Sequence, residues 1–136
     1  MSNTIGKCEI RVDAFDKAAG RAKFTDDLCD SSALVTHLVH ATVAHGLVKS
    51  IDTGAAERVP GVVKVFTCFD VPENYFPTAG HPWSTDPGHQ DVADRLLLSR
   101  HVRYYGEDIA VVVAEDPVAA AQAARLVRGE YEELPF

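Results

Sequence analysis

The chain has 136 residues, 46% hydrophobic and 24% charged, a composition that predicts one globular domain with a core of its own and no need of metal or disulfide staples. A formal charge of −7 at pH 7 excludes nucleic acid and anionic membrane surfaces as partners, because both demand clustered Lys and Arg. No apolar run approaches a bilayer span and MSNTIGKCEIRVDAF lacks the apolar stretch of a secretory signal, so a cytoplasmic location is expected.

In chain order, residues 8–12 alternate and predict an edge strand, and residues 16–20 predict a turn in which Gly20 supplies positive φ. Residues 22–25 extend toward Asp26-Asp27. Strands are predicted at 34–41 and 47–51, a helical turn or two at 53–59 closed by Pro60-Gly61, and a further strand at 62–67. Residues 72–93 carry four prolines, two glycines and no period, which predicts a long loop. Short strands at 96–99 and 101–104 follow.

The clearest pair of elements lies near the C-terminus. Residues 109–114 read IAVVVA, an unbroken, largely β-branched run that predicts a strand buried on both faces. Asp116-Pro117 predicts a helix start, with the aspartate as N-cap and the proline in the first turn. An alanine-rich helix should run to Arg128, stop at Gly129, and give way to an extended segment at 130–132. Strands mixed with short helices make the fold class α+β, or mixed α/β.

The chemistry-bearing residues are sparse. There is no glycine-rich dinucleotide or phosphate motif, no G-x-S-x-G and no H-E-x-x-H. Cys8, Cys29 and Cys68 are odd in number and far apart, which predicts reduced structural thiols. His37, His40 and His45 are spaced so that, on a strand, 37 and 40 face opposite sides; hydrogen-bonded structural histidines are expected. Asp26, Asp27, Asp86 and Glu130 to Glu133 predict capping or solvated carboxylates. In the long loop Tyr75, Phe76, His81, Trp83 and His89 are the candidate interface residues, since tryptophan anchors dominate contact energies.

Several ordered segments carry a resemblance. Arg11-Val12-Asp13-Ala14, Gly20-Arg21-Ala22-Lys23-Phe24-Thr25, Ala44-His45-Gly46, Ser50-Ile51-Asp52, Pro60-Gly61-Val62-Val63, Asp70-Val71-Pro72, Val102-Arg103-Tyr104-Tyr105-Gly106-Glu107 and Tyr131 to Pro135 together resemble the large subunits of the xanthine dehydrogenase/aldehyde oxidase family of molybdenum hydroxylases. Thr78 to Trp83 and Leu97 to Arg103 are most similar to the molybdenum-binding subunit of bacterial multi-subunit xanthine dehydrogenases. The chain departs from that pattern at His40-Ala41, where Arg-Ser is common, and at Arg128-Gly129-Glu130, where a V-x-V-x-Y strand is usual; a shorter or kinked last strand is expected there.

The resemblance implies a single α/β-hammerhead domain over residues 1–136, the N-terminal fragment of a much longer subunit, without catalytic, cofactor-binding or metal residues of its own. For the whole enzyme it implies hydroxylation of xanthine- or hypoxanthine-like purines with water as oxygen source. Molybdenum–molybdopterin would sit in later domains, with 2Fe-2S clusters and FAD on partner chains or domains. Aldehydes or other N-heterocycles are the alternative substrates. A different class of function, a free-standing carrier or binding module, would use Lys17 in Asp16-Lys17-Ala18, which resembles the lysine turn of lipoyl domains.

Overall fold

The computed structural model describes residues 5–30, 32–77, 86, 88 and 92–135. It divides into two compact units, Met1–Ala33 and Leu34–Phe136.

In the first unit, α1 spans Ala14–Ala18 and a 3-10 turn spans Asp26–Leu28. The expected strand at 8–12 is not formed. Ile10 and Val12 stand almost wholly in solvent, and an alternating stretch becomes a strand only when a neighbour pairs with it. The expected turn at 16–20 is instead the end of α1. Lys17 reaches back one helical turn to Asp13 at 2.7 Å, and Arg21 N–H and Ala22 N–H both donate to the Asp16 carbonyl as Gly20 takes φ +68°. None of the described residues of this unit is buried.

The second unit contains β1 (Val35–His40), β2 (Gly46–Asp52), β3 (Val62–Thr67), β4 (Phe76–Pro77), β5 (Ala93–Arg95), β6 (His101–Val102), β7 (Asp108–Ala114), α2 (Pro117–Ala124) and β8 (Arg128–Glu133). They form two three-stranded antiparallel sheets, β1-β7-β3 and β6-β2-β8, and a short β4-β5 ladder. The helices and antiparallel sheets make this the mixed α/β class.

Strand β7 is the centre of the first sheet, as its apolar run requires. Val112 pairs with His37 on one side and Val65 on the other. One face of β7 is covered by α2. Val112 and Ala114 pack with Val65, Ala119, Ala120, Ala123 and Val127, and small alanine side chains let helix and sheet approach closely. Asp116 caps α2 as the sequence predicts, its Oδ1 accepting from Val118 N–H at 2.8 Å and Ala119 N–H at 2.9 Å. Gly61 tucks beneath this helix start at φ +87°, where a Cβ would stand 3.2 Å from that of Ala119. A second cluster, Ala41, Val48, Val102 and Ile109, joins the other end of β7 to the second sheet.

Three element boundaries differ from expectation. Helix α2 ends at Ala124, not Arg128, because β8 begins at Arg128 and its pairing with Asp52 competes for the same backbone. Gly129 is therefore a strand residue opposite Ile51, and it lies under the Tyr131 hydroxyl. The last strand runs six residues; the irregularity sits in β2, between Val48 and Ser50. The extended piece expected at 96–99 lies earlier, as β5, where Arg95 can pair with Phe76. The long loop is thus laced at both ends by the β4-β5 ladder.

Candidate functional site

A polar junction lies at the turn between β6 and β7, a segment quoted above for its resemblance and not for any chemistry. Glu107 is 4% exposed, and a carboxylate this buried needs partners. Its Oε2 accepts from Arg103 N–H at 2.6 Å and its Oε1 faces the Arg103 guanidinium at 3.3 Å. Arg103 also donates to the Asp94 carbonyl at 3.1 Å. The Glu107 carbonyl accepts from Ala41 N–H, and Gly106 N–H donates to the Ala41 carbonyl. Gly106 takes φ +93°, which closes the turn. These bonds fix the end of β1 against the start of β7. The sequence signal was Tyr105-Gly106-Glu107, a glutamate beside a turn glycine four residues after an arginine.

Two recesses flank this junction. One, about 390 Å³, is lined by Glu73, Tyr75, Asp94, Arg100, His101 and Arg103 among others. Two guanidinium groups face two carboxylates, so the lining has no strong net sign. Arg100 is committed elsewhere, donating to the Val48 carbonyl at 3.2 Å with its guanidinium 5.4 Å from the Phe69 ring centre. The second, about 240 Å³, is lined by Phe76, Arg95, Tyr104 and Glu107. Of the five candidate interface residues, Tyr75 and Phe76 thus border neighbouring recesses, both exposed. His81, Trp83 and His89 lie outside the described residues.

The three histidines at 37, 40 and 45 are separately engaged. His37 Nδ1–H donates to the Leu38 carbonyl at 2.9 Å, and His40 Nδ1 lies 2.8 Å from Asp108. His45 meets a partner the sequence reading missed, His101, 56 positions away and Nε2 to Nε2 at 3.2 Å. Only His45 Nδ1–H can serve the Pro135 carbonyl at 2.7 Å, because a carbonyl accepts and cannot donate. In the neutral pair His101 therefore carries the proton between the two rings. Among the described residues no three His, Cys, Asp or Glu side chains gather as a metal-ligand set.

The remaining candidates serve the backbone or stay inert. Asp27 accepts from Phe24 N–H at 2.9 Å. Asp70 closes the turn after β3, accepting from the N–H and hydroxyl of Thr67 at 2.8 and 2.6 Å, and those bonds hold its carboxyl below the ordinary 3.8. Cys8, Cys29 and Cys68 are free. Burial pushes the Cys68 thiol up to about 11, well away from a reactive thiolate at neutral pH. No helix among the described residues is long and apolar enough to cross a membrane.

This architecture has relatives. Residues 19–135 match the family described as aldehyde oxidase and xanthine dehydrogenase, a/b hammerhead domain. A xanthine dehydrogenase molybdenum-binding subunit from Escherichia coli O157:H7 is 47% identical over 126 residues, which is 93% of this chain and 17% of that protein. The nicotine 6-hydroxylase large subunit of Paenarthrobacter nicotinovorans is 35% identical over 97% of this chain and 16% of its own length. Among solved structures, quinoline 2-oxidoreductase from Pseudomonas putida 86 superposes with a TM-score of 0.80 at 31% identity, covering 99% of this chain and 17% of that one. The chain thus spans about a sixth of the length of the relatives it matches. It belongs to the aldehyde oxidase and xanthine dehydrogenase family, as its α/β-hammerhead domain.

Proposed function

We propose that this chain is the N-terminal structural domain of the molybdenum-binding subunit of a xanthine dehydrogenase-type purine hydroxylase. The observation that carries the reading is the 47% identity, over 93% of the chain, to a xanthine dehydrogenase molybdenum-binding subunit, against 35% to a nicotine 6-hydroxylase large subunit. The whole enzyme would hydroxylate xanthine or hypoxanthine with oxygen from water in the cytoplasm. Its electrons would pass through iron–sulfur clusters to FAD on partner chains or domains.

In this reading the domain itself is not catalytic. Molybdenum–molybdopterin does not fit the described residues. The recesses at the β6–β7 turn are open and of mixed charge, and a cofactor of that size needs a deep pocket with convergent polar groups. In this reading the cofactor is held by polypeptide outside this chain. A carrier role for Lys17 is disfavoured by its place inside α1, ion-paired to Asp13, where a carrier lysine would need an exposed turn.

The test is purification of the full reading frame through a tag on this domain, from cells that also make its iron–sulfur and FAD partners. The expected product contains molybdenum and reduces a dye with xanthine faster than with nicotinate or an aldehyde. A product without molybdenum refutes the reading; a molybdenum enzyme that prefers the other substrates overturns the purine assignment alone.

A further inference from the structure

His45 stands just before β2 and His101 opens β6, and the pairing of Gly46 with Val102 and of Leu47 with His101 sets the two rings side by side. Their Nε2 atoms are 3.2 Å apart, at the long end of the roughly 2.7–3.2 Å range of a hydrogen bond. The ring centres lie 5.3 Å apart with the planes tilted by 40°, so the rings meet at their nitrogen edges and do not stack. A tetrahedral Zn²⁺ with Zn–N bonds of about 2.0–2.1 Å holds two imidazole nitrogens about 3.3 Å apart, close to the separation seen here. Right-angled coordination, as in tetragonal Cu²⁺ or Ni²⁺ sites, would draw them in to about 2.8 Å. The spacing selects zinc.

We infer that His45 and His101 are the two protein ligands of a zinc site, each through Nε2, with water in the remaining positions. The setting of His45 supports this. Its Nδ1–H donates to the Pro135 carbonyl at 2.7 Å, which leaves Nε2 unprotonated and turned toward His101. Metal-ligating histidines are held in this way, the far ring nitrogen bonded to a backbone carbonyl or a carboxylate. His101 is exposed and borders the open recess it shares with Glu73 and Asp94, which gives solvent access for the remaining ligands. For binding, the His101 proton passes from Nε2 to Nδ1 by exchange with water; both Nε2 lone pairs then face the metal, and no net proton is released. No third His, Cys, Asp or Glu among the described residues joins the pair, so the site is weaker than a four-ligand structural centre. The chain's charge of −7 favours a cation over an anion. Zinc here would act as a clasp, tying β2 to β6 directly and, through Pro135, to the segment that follows β8. The site lies within this chain and is independent of the substrate and partners of the whole enzyme.

Zn²⁺ titrated into the chelator-treated 136-residue chain, followed by the imidazole nitrogen resonances in NMR, tests this. The Nε2 signals of His45 and His101 should shift together and saturate at a single Zn²⁺ per chain, while His45 keeps its Nδ1–H. In isothermal calorimetry, His45→Gln and His101→Gln should each weaken zinc binding by roughly tenfold or more with the circular dichroism spectrum unchanged. His40→Gln, whose ring sits instead beside Asp108, should leave it as it was. Zinc at about a hundredfold excess over Kd should raise Tm by about 5–10 °C, a rise that His101→Gln abolishes. Absence of saturable binding overturns the inference and leaves the two rings as a hydrogen-bonded pair. Binding that moves only the signals of other histidines, or that survives His101→Gln undiminished, overturns it as well.

Discussion

Replacing Val112 with Asp tests the centre of the fold most directly. The side chain is fully buried, and the cluster around it is built from valines and alanines of β3, β7 and α2 with no hydrogen-bond donor to spare. A carboxyl placed there either ionises without a partner or takes up a proton. Buried carboxyls of this kind have their pKa raised by about 3 to 5 units, and at neutral pH, about 3 units above the unfolded value, the cost reaches about 4 kcal/mol. That is a large part of the about 5–15 kcal/mol by which a domain is stable. The sign follows from the raised value. The cost is full above the folded pKa and shrinks as pH falls through it toward the unfolded value of about 3.9. Thermal unfolding followed by circular dichroism at pH 7.5 and pH 5 should therefore show a smaller loss at pH 5. The equally sized Val112→Asn should lose stability without that pH dependence. Should the aspartate variant not fold at either pH, Val112→Ala still reads the site. Two lost methyl groups cost about 1.5–2.5 kcal/mol, or about 6–10 °C in Tm. A Val112→Ala protein within about 1 °C of the parent would refute the assignment of β7 as the covered centre.

Other perturbations probe the junctions. Gly46→Ala would put a Cβ 2.7 Å from the Glu132 carbonyl oxygen, a backbone atom that cannot step aside without parting β2 from β8. It should cost about 1–3 kcal/mol in a urea titration, and an unchanged midpoint would mean that these two strands approach less closely. Asp116→Ala removes both bonds at the start of α2 and should cost about 1 kcal/mol, read in the same titration; Asp116→Asn should recover most of it. Iodoacetamide at pH 8 should modify the exposed Cys8 and Cys29 well before Cys68, whose rate should climb as pH rises toward about 11. Labelling of all three at one rate would place Cys68 at the surface.

Where local chemistry decides, the sequence was legible. Asp116-Pro117 capped the helix it promised, Gly20 took positive φ, and the run 109–114 became the central strand. It was illegible where a distant partner decides. Residues 8–12 alternate like a strand, yet among the described residues no neighbouring strand pairs with them, and period alone cannot supply one. Arg125 to Arg128 continue a helical pattern, but β2 offers a free edge to Arg128, and pairing overrides propensity. His45 and His101 meet only because β2 and β6 are neighbours, through Gly46 opposite Val102 and Leu47 opposite His101. Glu107 stood in the sequence only as part of a family segment, and the bond geometry of the Arg103 turn reveals it as buried.

The quoted family segments now have a physical meaning. In Ala44-His45-Gly46 the glycine allows the close approach of β2 to β8. In Pro60-Gly61 it fits beneath the first turn of α2. In Tyr105-Gly106-Glu107 it turns the chain so that the glutamate can reach Arg103. Each motif is a junction between elements, and each answers a steric or hydrogen-bonding demand of this sheet–helix arrangement. A shared need for such junctions explains how one domain recurs in proteins named for xanthine, nicotine and quinoline. A likeness carried by such segments reports architecture first. What separates these relatives is degree: 47% identity to the xanthine dehydrogenase subunit against 35% to the nicotine hydroxylase.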